Sequence, residues 1–341
     1  MTKKRNITII GGGLAGLSLG IALRNHGVST KVIEAGQYPR HKVCGEFISG
    51  VSEESLEDLG IEKLFKDAIR HRDVQWRLGE KIFRRDSLPR DALGISRYAL
   101  DERLAGEFES IGGELVTNRR IAKLDQEEGV VWSAGRQAEP SKWIGLKAHF
   151  DDLELECDLE LRLGRGAYVG ASRIENGKVN VCGLFQRRKS IQASRTTALV
   201  SYVRANGLDA FADRLESSRM DPQSASGVSA LAFAKTDKDS DRIQIGDAFA
   251  VMPPFTGNGM SLAFESALVA VPFLKQYGEA SMNWQVTVRK TRKALKEAFG
   301  FRLHVSRYLH PWIHSRFGQN AFFTLSKARL VPFQTLLRQV R

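Results

Sequence analysis

Residues Ile7 to Leu23 constrain this chain more than any other stretch. Four β-prone residues, Ile7 to Ile10, run straight into Gly11, Gly13 and Gly16, and a helix-period segment follows with Leu17, Leu19, Ala22 and Leu23. Gly27 is placed to cap that helix, and a second strand from Thr30 to Ile33 ends at Glu34. Strand, glycine turn, helix, strand and acid together make the context a dinucleotide fingerprint requires. Gly11 permits the tight turn, Gly13 lets the backbone approach a pyrophosphate, and Gly16 brings helix against strand. Leu14, Ala15 and Gly16 open the helix, whose free N–H groups and positive end suit phosphate. Glu34, with Ala35 after it, is placed to accept hydrogen bonds from ribose hydroxyls.

A chain of 341 residues can bury a substantial core in two lobes. The uncharged run after Lys3, Lys4 and Arg5 imitates a secretory leader, but its glycines and the immediate second strand argue against one. No other segment approaches membrane-spanning length. Cys44, Cys157 and Cys182 are odd in number and widely spaced, which suits a reducing compartment. A cytoplasmic location is expected, with membrane-peripheral contact as its variant. The net charge of +12 is concentrated at the end of the chain: residues 289–341 hold twelve Lys and Arg against one acid, Glu297. Leu295, Ala298, Phe299, Val305, Leu309, Trp312 and Ile313 recur there at near-helical spacing, predicting amphipathic helices with one basic face. That face either packs beside the body and stays solvated, or meets an anionic membrane surface or acidic carrier. No nucleic-acid partner is expected, because no reading motif accompanies the charge.

Residues 51–70 read as helical with a break at Gly60, and Val74–Leu78 with Lys81–Arg84 read as a hairpin around Gly79. A helix begins near Ile95 and stops at Gly112 and Gly113. The middle is β. Leu153 to Leu163 is apolar at every odd position, predicting a strand with one wet face and one packed face. Tyr168–Ile174 and Lys178–Leu184 continue the sheet around a turn at Glu175, Asn176 and Gly177. Helices are expected near Thr196–Asn206 and Leu208–Leu215, with loops at Ser224–Ser229 and Lys235–Asp241.

A second informative stretch runs from Arg242 to Ala267: a strand ends in Gly246 and Asp247, a Pro253–Pro254 turn follows, and Gly257, Asn258 and Gly259 open a helix. Here the chain resembles the flavoprotein superfamily of geranylgeranyl reductases and p-hydroxybenzoate-hydroxylase-like monooxygenases, over most of its length. The resemblance implies FAD as cofactor, with Asp247 on the ribityl chain and the helix opened by Gly257, Asn258, Gly259 and Met260 pointing at the flavin pyrimidine ring. Helix N–H groups there suit the negative charge of reduced flavin. Arg97 resembles the family's arginine near the FAD phosphates, a role a guanidinium suits, with a surface ion pair to Asp101 as the alternative. Residues 39–46, Pro39 to Glu46, resemble the loop after the acidic strand, which in geranylgeranyl reductases lies beside the flavin. Cys44 then lines the active site or simply packs, and Arg40 and Lys42 neutralise phosphate or stay solvated.

The chain departs from the hydroxylases in two places. Their Asp-Gly motif is replaced by Ser133, Ala134, Gly135 and Arg136, and the histidine after their Gly-Asp-Ala-Ala is replaced by Ala250. Both departures tilt the reading toward the reductase branch. His310 and His314 are four apart but flank Pro311 without a third ligand, so no metal site is expected.

The expected fold class is α/β: a Rossmann-type FAD-binding βαβ domain, an inserted antiparallel β-sheet substrate domain and C-terminal helices. The expected boundaries are 1–72, 95–136 and 240–285 for the FAD domain, 73–94 and 137–239 for the sheet domain, and 286–341 for the basic segment. The expected activity is FAD-dependent oxidoreduction, with NAD(P)H as transient electron donor and a small apolar substrate near Pro253, Pro254, Phe255 and Cys44. Phe255 and Cys44 are the candidate catalytic residues. Aromatic hydroxylation and a non-catalytic FAD scaffold are the alternatives.

Overall fold

The computed structural model describes residues 4–122, 128–136, 141–229, 241–251 and 259–314, with 318 and 324. In chain order come β1 (Ile7–Ile10), α1 (Leu14–Asn25), β2 (Thr30–Ile33), β3 (Phe47–Ile48), α2 (Glu53–Asp58), β4 (Ile69–Leu78) and β5 (Lys81–Gly94). Next are α3 (Arg97–Ser110), β6 (Glu114–Val116), β7 (Val130–Trp132), β8 (Trp143–Phe150), β9 (Leu159–Gly164), β10 (Ala167–Arg173) and β11 (Val179–Gln186). The remainder are α4 (Ala198–Ala205), α5 (Asp209–Ser217), β12 (Met220–Ser229), β13 (Ile243–Gln244), α6 (Gly259–Gly278) and α7 (Trp284–His314), whose side chains are described to residue 305.

Five strands pair in parallel in the order β13-β7-β1-β2-β6. The chain leaves β1 through α1 to β2 on one side, and β7 lies on the other. The loop after β1 therefore sits where the strand order reverses, the place where open α/β sheets bind ligands. Fully buried Ile7, Ile9, Leu17, Leu19 and Ile21 pack with Phe264, Ala267 and Leu274 of α6 in one core. Helix α1 packs against the sheet and also against α3 and α6, and it is buried from Leu14 through Leu23. Gly27, at φ +72°, ends that helix as its sequence predicts.

Among the described residues the second sheet has eight strands, β12-β8-β11-β10-β9-β4-β5-β3, antiparallel except for the β4–β9 pair. Leu146, Ala148 and Phe150 of β8 and Val179, Val181 and Phe185 of β11 pack on Leu199, Tyr202, Phe211 and Leu215 of α4 and α5. Alternate residues point the other way, and Trp143, Leu163, Tyr168 and Leu184 form an apolar cluster there. The α/β fold, with a Rossmann-type unit, a mainly antiparallel sheet inserted in it and a C-terminal helix, is the one the sequence predicts.

The structure corrects four local expectations. The strand of the Leu153–Leu163 run covers only β9, and neither of its faces is wet: Glu160 and Arg162 are buried as an ion pair 2.5 Å long, with the guanidinium 4.3 Å from the Phe211 ring. Residues 224–229, expected as a loop, belong to β12, an edge strand with an irregularity between Asp221 and Ser226, where Pro222 interrupts the ladder. The helical stretch of 51–70 shortens to α2 and a turn at Glu62–Phe65, and β4 already begins at Ile69. Residues 284–314 form a 31-residue helix in which Ala298, expected on the apolar face, is exposed; of residues 315–341 only 318 and 324 are described. Of the expected Lys235–Asp241 loop, only Asp241 lies among the described residues.

Candidate cofactor and substrate site

The glycine turn after β1 is fixed by contact with its own sheet. Gly11 has φ +105°, and a Cβ there would lie 2.4 Å from the Ser133 carbonyl oxygen. A Cβ at Gly16 would lie 2.0 Å from the Gly11 carbonyl oxygen, so α1 can approach β1 this closely only with glycine at that position. At Gly13 the same construction meets nothing within 4 Å. Gly13 caps α1 without a side-chain hydrogen bond, and the first turn carries no acid. The opening N–H groups of Leu14, Ala15 and Gly16 are therefore directed at a surface that an anion can reach.

Glu34 follows β2 and is buried. Its Oε2 accepts from the Gly12 N–H at 2.7 Å, and its Oε1 accepts from the Gly36 N–H at 3.0 Å and from Arg40 Nη2 at 2.8 Å. A carboxylate has about four acceptor positions, so these three bonds leave capacity for one hydroxyl. The acid thus ties the glycine turn to the stretch holding Ala35 and Arg40. The Tyr38 hydroxyl donates to the Gly12 carbonyl oxygen from the same stretch.

The second motif arrives from the far end of the chain. Gly246, at φ +59°, follows β13, and a Cβ there would lie 2.9 Å from the Ala15 Cβ. The Gly246 N–H donates to Ser266 Oγ of α6 at 2.9 Å. Asp247 therefore stands beside the first turn of α1. Burial pushes its carboxyl up, with Arg136 and then Arg97 pulling the other way. Arg136 ends the Ser133–Arg136 segment, whose Ser133 hydroxyl donates to the Gly11 carbonyl oxygen at 2.6 Å. Gly259 and buried Met260 open α6, and the Ser261 hydroxyl donates to the Ser49 carbonyl oxygen just beyond β3. Pro253, Pro254, Phe255, Gly257 and Asn258 lie outside the described residues.

Arg97 is the first residue of α3, whose N-cap Ser96 accepts from the Ala99 N–H. Its Nε and Nη2 donate to the two oxygens of Asp101 at 2.7 and 2.9 Å. Asp101 is fully buried and also receives Lys42 Nζ at 2.5 Å. The alternative of a surface ion pair gives way to an interior cluster. Burial alone would raise the Asp101 carboxyl, but Arg97 and Lys42 outweigh that and hold it below the usual carboxylate range.

The loop at Cys44 is held by groups the sequence reading passed over. Glu46 is fully buried at φ +52°; its Oε1 accepts from Lys147 Nζ at 2.5 Å and the Arg97 N–H at 2.9 Å, and its Oε2 pairs with His149 Nε2 at 2.6 Å. Asn180 Nδ2 donates to the carbonyl oxygens of Cys44 and Gly45 at 3.1 and 2.8 Å. Lys147, His149 and Asn180 all stand on the face of β8 and β11 turned away from α4 and α5. Alternation with Leu146, Ala148 and Phe150 puts Lys147 and His149 on one face of β8 in the sequence, but does not show that this face is covered. Burial pushes the Cys44 thiol up, so the thiol stays neutral, and its side chain packs against the main core.

The fold defines a class: this is the Rossmann-type fold of FAD-binding flavoproteins, with a second, mainly antiparallel sheet. Residues 6–72 match the family model described as pyridine nucleotide-disulphide oxidoreductase. The menaquinone reductase of Mycobacterium tuberculosis is 24% identical over 317 residues, covering 79% of this chain and 76% of that protein. Squalene epoxidase erg1 of Schizosaccharomyces pombe is 36% identical over 124 residues, 36% of this chain and 25% of that one. Among solved structures, Klebsiella pneumoniae HpxO complexed with FAD and uric acid matches with a TM-score of 0.77 at 14% identity, over 98% of this chain and 95% of that one. The p-nitrophenol 4-monooxygenase PnpA of Pseudomonas putida matches at 0.78 and 15% identity, over 100% and 97%. At these identities the structural likeness is one of fold.

Proposed function

We propose that this chain is an FAD-dependent oxidoreductase acting on a largely apolar substrate of isoprenoid, quinone or polyketide-like type. One observation carries the reading: Gly246 packs on Ala15, which brings Asp247 beside the α1 N-terminus. The residues fit the cofactor. Gly13 gives open approach to the uncapped helix, Glu34 retains acceptor capacity for a ribose hydroxyl, and Asp247 offers a carboxyl to a polyol chain. FAD, when bound, supplies the hydride and oxygen chemistry that side chains lack. The protein's share is to orient and to exclude water. The N-termini of α1 and α6 set favourable potential at anionic groups, and the cluster of Trp143, Leu163, Tyr168 and Leu184 offers an apolar wall to the substrate. Two relatives carry menaquinone and squalene in their names, and both molecules are apolar.

Within this reading, double-bond reduction with NAD(P)H as donor is favoured by Ser133–Arg136 and Ala250 standing where the hydroxylases carry aspartate and histidine. Hydroxylation is the second reading, favoured by structural neighbours such as PnpA. The test is an absorbance spectrum of the purified protein, then anaerobic mixing with NADPH. A yellow chromophore that bleaches supports the enzyme, persistent colour favours a scaffold, and a colourless protein that takes up no FAD refutes the proposal. Oxygen consumption coupled to a hydroxylated product selects the monooxygenase. Mass analysis of co-purified lipid or quinone names the substrate class.

A further inference from the structure

The outward face of α7 carries a charge that the nucleotide site does not use. Its inner face, with Thr287, Val288, Thr291, Leu295 and Phe299, is buried against the body, and Arg302 pairs with Glu265 of α6. Helical spacing turns Arg289, Lys290, Lys293 and Lys296 to the opposite side, and all four are exposed. Among the described residues, the acid paired with any of these four is Glu297, 3.8 Å from Lys293 with both side chains largely in water. Such a pair is mostly screened. Phe301 lies one turn past Glu297 on the same face and is 62% exposed. In sequence, residues 306–341 add six Lys and Arg and no acid.

A basic face that is merely solvated needs no bare aromatic at its edge. Four cations beside an exposed phenyl ring match the chemistry of a lipid headgroup layer: the ring enters the acyl boundary while the lysine stems reach back to phosphate. We propose that this face of α7 docks the protein on an anionic bilayer. The docking stands on charge and exposure alone and does not depend on the redox reading. An apolar substrate partitioned in that bilayer would then be within reach of the enzyme.

Sedimentation of the full chain with vesicles tests this. Vesicles of phosphatidylcholine with phosphatidylglycerol should carry the protein down, and pure phosphatidylcholine should not. Salt should release it, as the screening length falls to about 3 Å at 1 M. Replacing Lys290→Gln, Lys293→Gln and Lys296→Gln together should lower partition about one hundred-fold, from about five-fold per surface cation. Phe301→Ser should lower it about ten-fold, whereas the three lysines changed to arginine should bind as the native chain does. Circular dichroism checks that the exposed substitutions leave the fold intact. Equal binding to both vesicle types, no binding to either, or native-like partition by the triple glutamine variant overturns the proposal. Capture by an acidic carrier protein without vesicle binding also overturns it and reassigns the face to a protein partner.

Discussion

Glu46 and Lys147 form an ion pair 2.5 Å long in which neither side chain has any solvent exposure. One partner follows the Cys44 loop and the other stands mid-strand in β8, so the bond joins the nucleotide-binding unit to the second sheet. His149 and the Arg97 N–H complete the carboxylate's partners.

Removing one member leaves the other charge buried and alone. Glu46→Gln is expected to destabilise the protein by about 3–5 kcal/mol, and Lys147→Met in the same chain should recover most of that loss. Urea unfolding of the single and double variants measures both. Burial would raise the Glu46 carboxyl, but Lys147 and then His149 hold it below its ordinary 4.5. Its stabilisation is thus complete above pH 4.5 and disappears as acid takes the pH down through the depressed value.

His41 titrates with the opposite chemistry and the same sign. Its ring stacks on Tyr98 at 4.5 Å and meets the His149 ring edge-on at 5.2 Å. Burial first, then Lys147 and His149, lower it from 6.5 to about 4, with Glu46 and Asp221 opposing. Between those values the unfolded chain binds a proton that the folded chain refuses, so stability falls as pH drops from 6.5 toward about 4. His41→Asn should flatten that slope, leaving the share of His71, which burial also lowers. Denaturant midpoints at about pH 7 and about pH 5 read the difference.

Gly13 and Gly16 should separate binding from folding. Gly16→Ala drives a methyl against the Gly11 carbonyl and is expected to cost about 1–3 kcal/mol of stability. Gly13→Ala meets no protein atom within 4 Å, so its melting temperature should stay near native. Its retention of FAD should nonetheless fall about ten-fold, or about 1.4 kcal/mol. Equal melting losses in the two variants would refute this division.

Asp247 offers a cleaner test of the cofactor assignment. Its carboxyl is pushed up by burial, so at neutral pH the charge is held at a cost. Asp247→Asn should make the cofactor-free protein more stable above the ordinary carboxylate range and weaken FAD retention about ten-fold. Fluorimetric FAD titration and calorimetry of the apo protein check the two halves. A variant that binds FAD as the native chain does removes Asp247 from the site.

The parts legible in sequence were those decided within a few residues. Gly11, Gly16 and Gly27 are set by local backbone geometry and close contact, and glycine announces both needs. What escaped was covered by distant chain. Alternation along β8 and β9 shows that a strand has two faces, but not what lies over each. Lys147, His149, Glu160 and Arg162 therefore look solvated in sequence and are buried in the fold. Glu46 has a glutamate's composition and a core residue's surroundings. The Ser-rich β12 reads as a loop because its pairing partner is seventy-odd residues away, with Ser226 opposite Lys147.

The packing of Gly246 on Ala15 also bears on the order of events during synthesis. The turn that would cradle the pyrophosphate leaves the ribosome more than two hundred residues before the stretch that would oppose it. A nascent chain would therefore carry half of the proposed grip until Gly246 and Asp247 emerge. On the proposed reading, tight retention of the cofactor waits for the later of the two stretches.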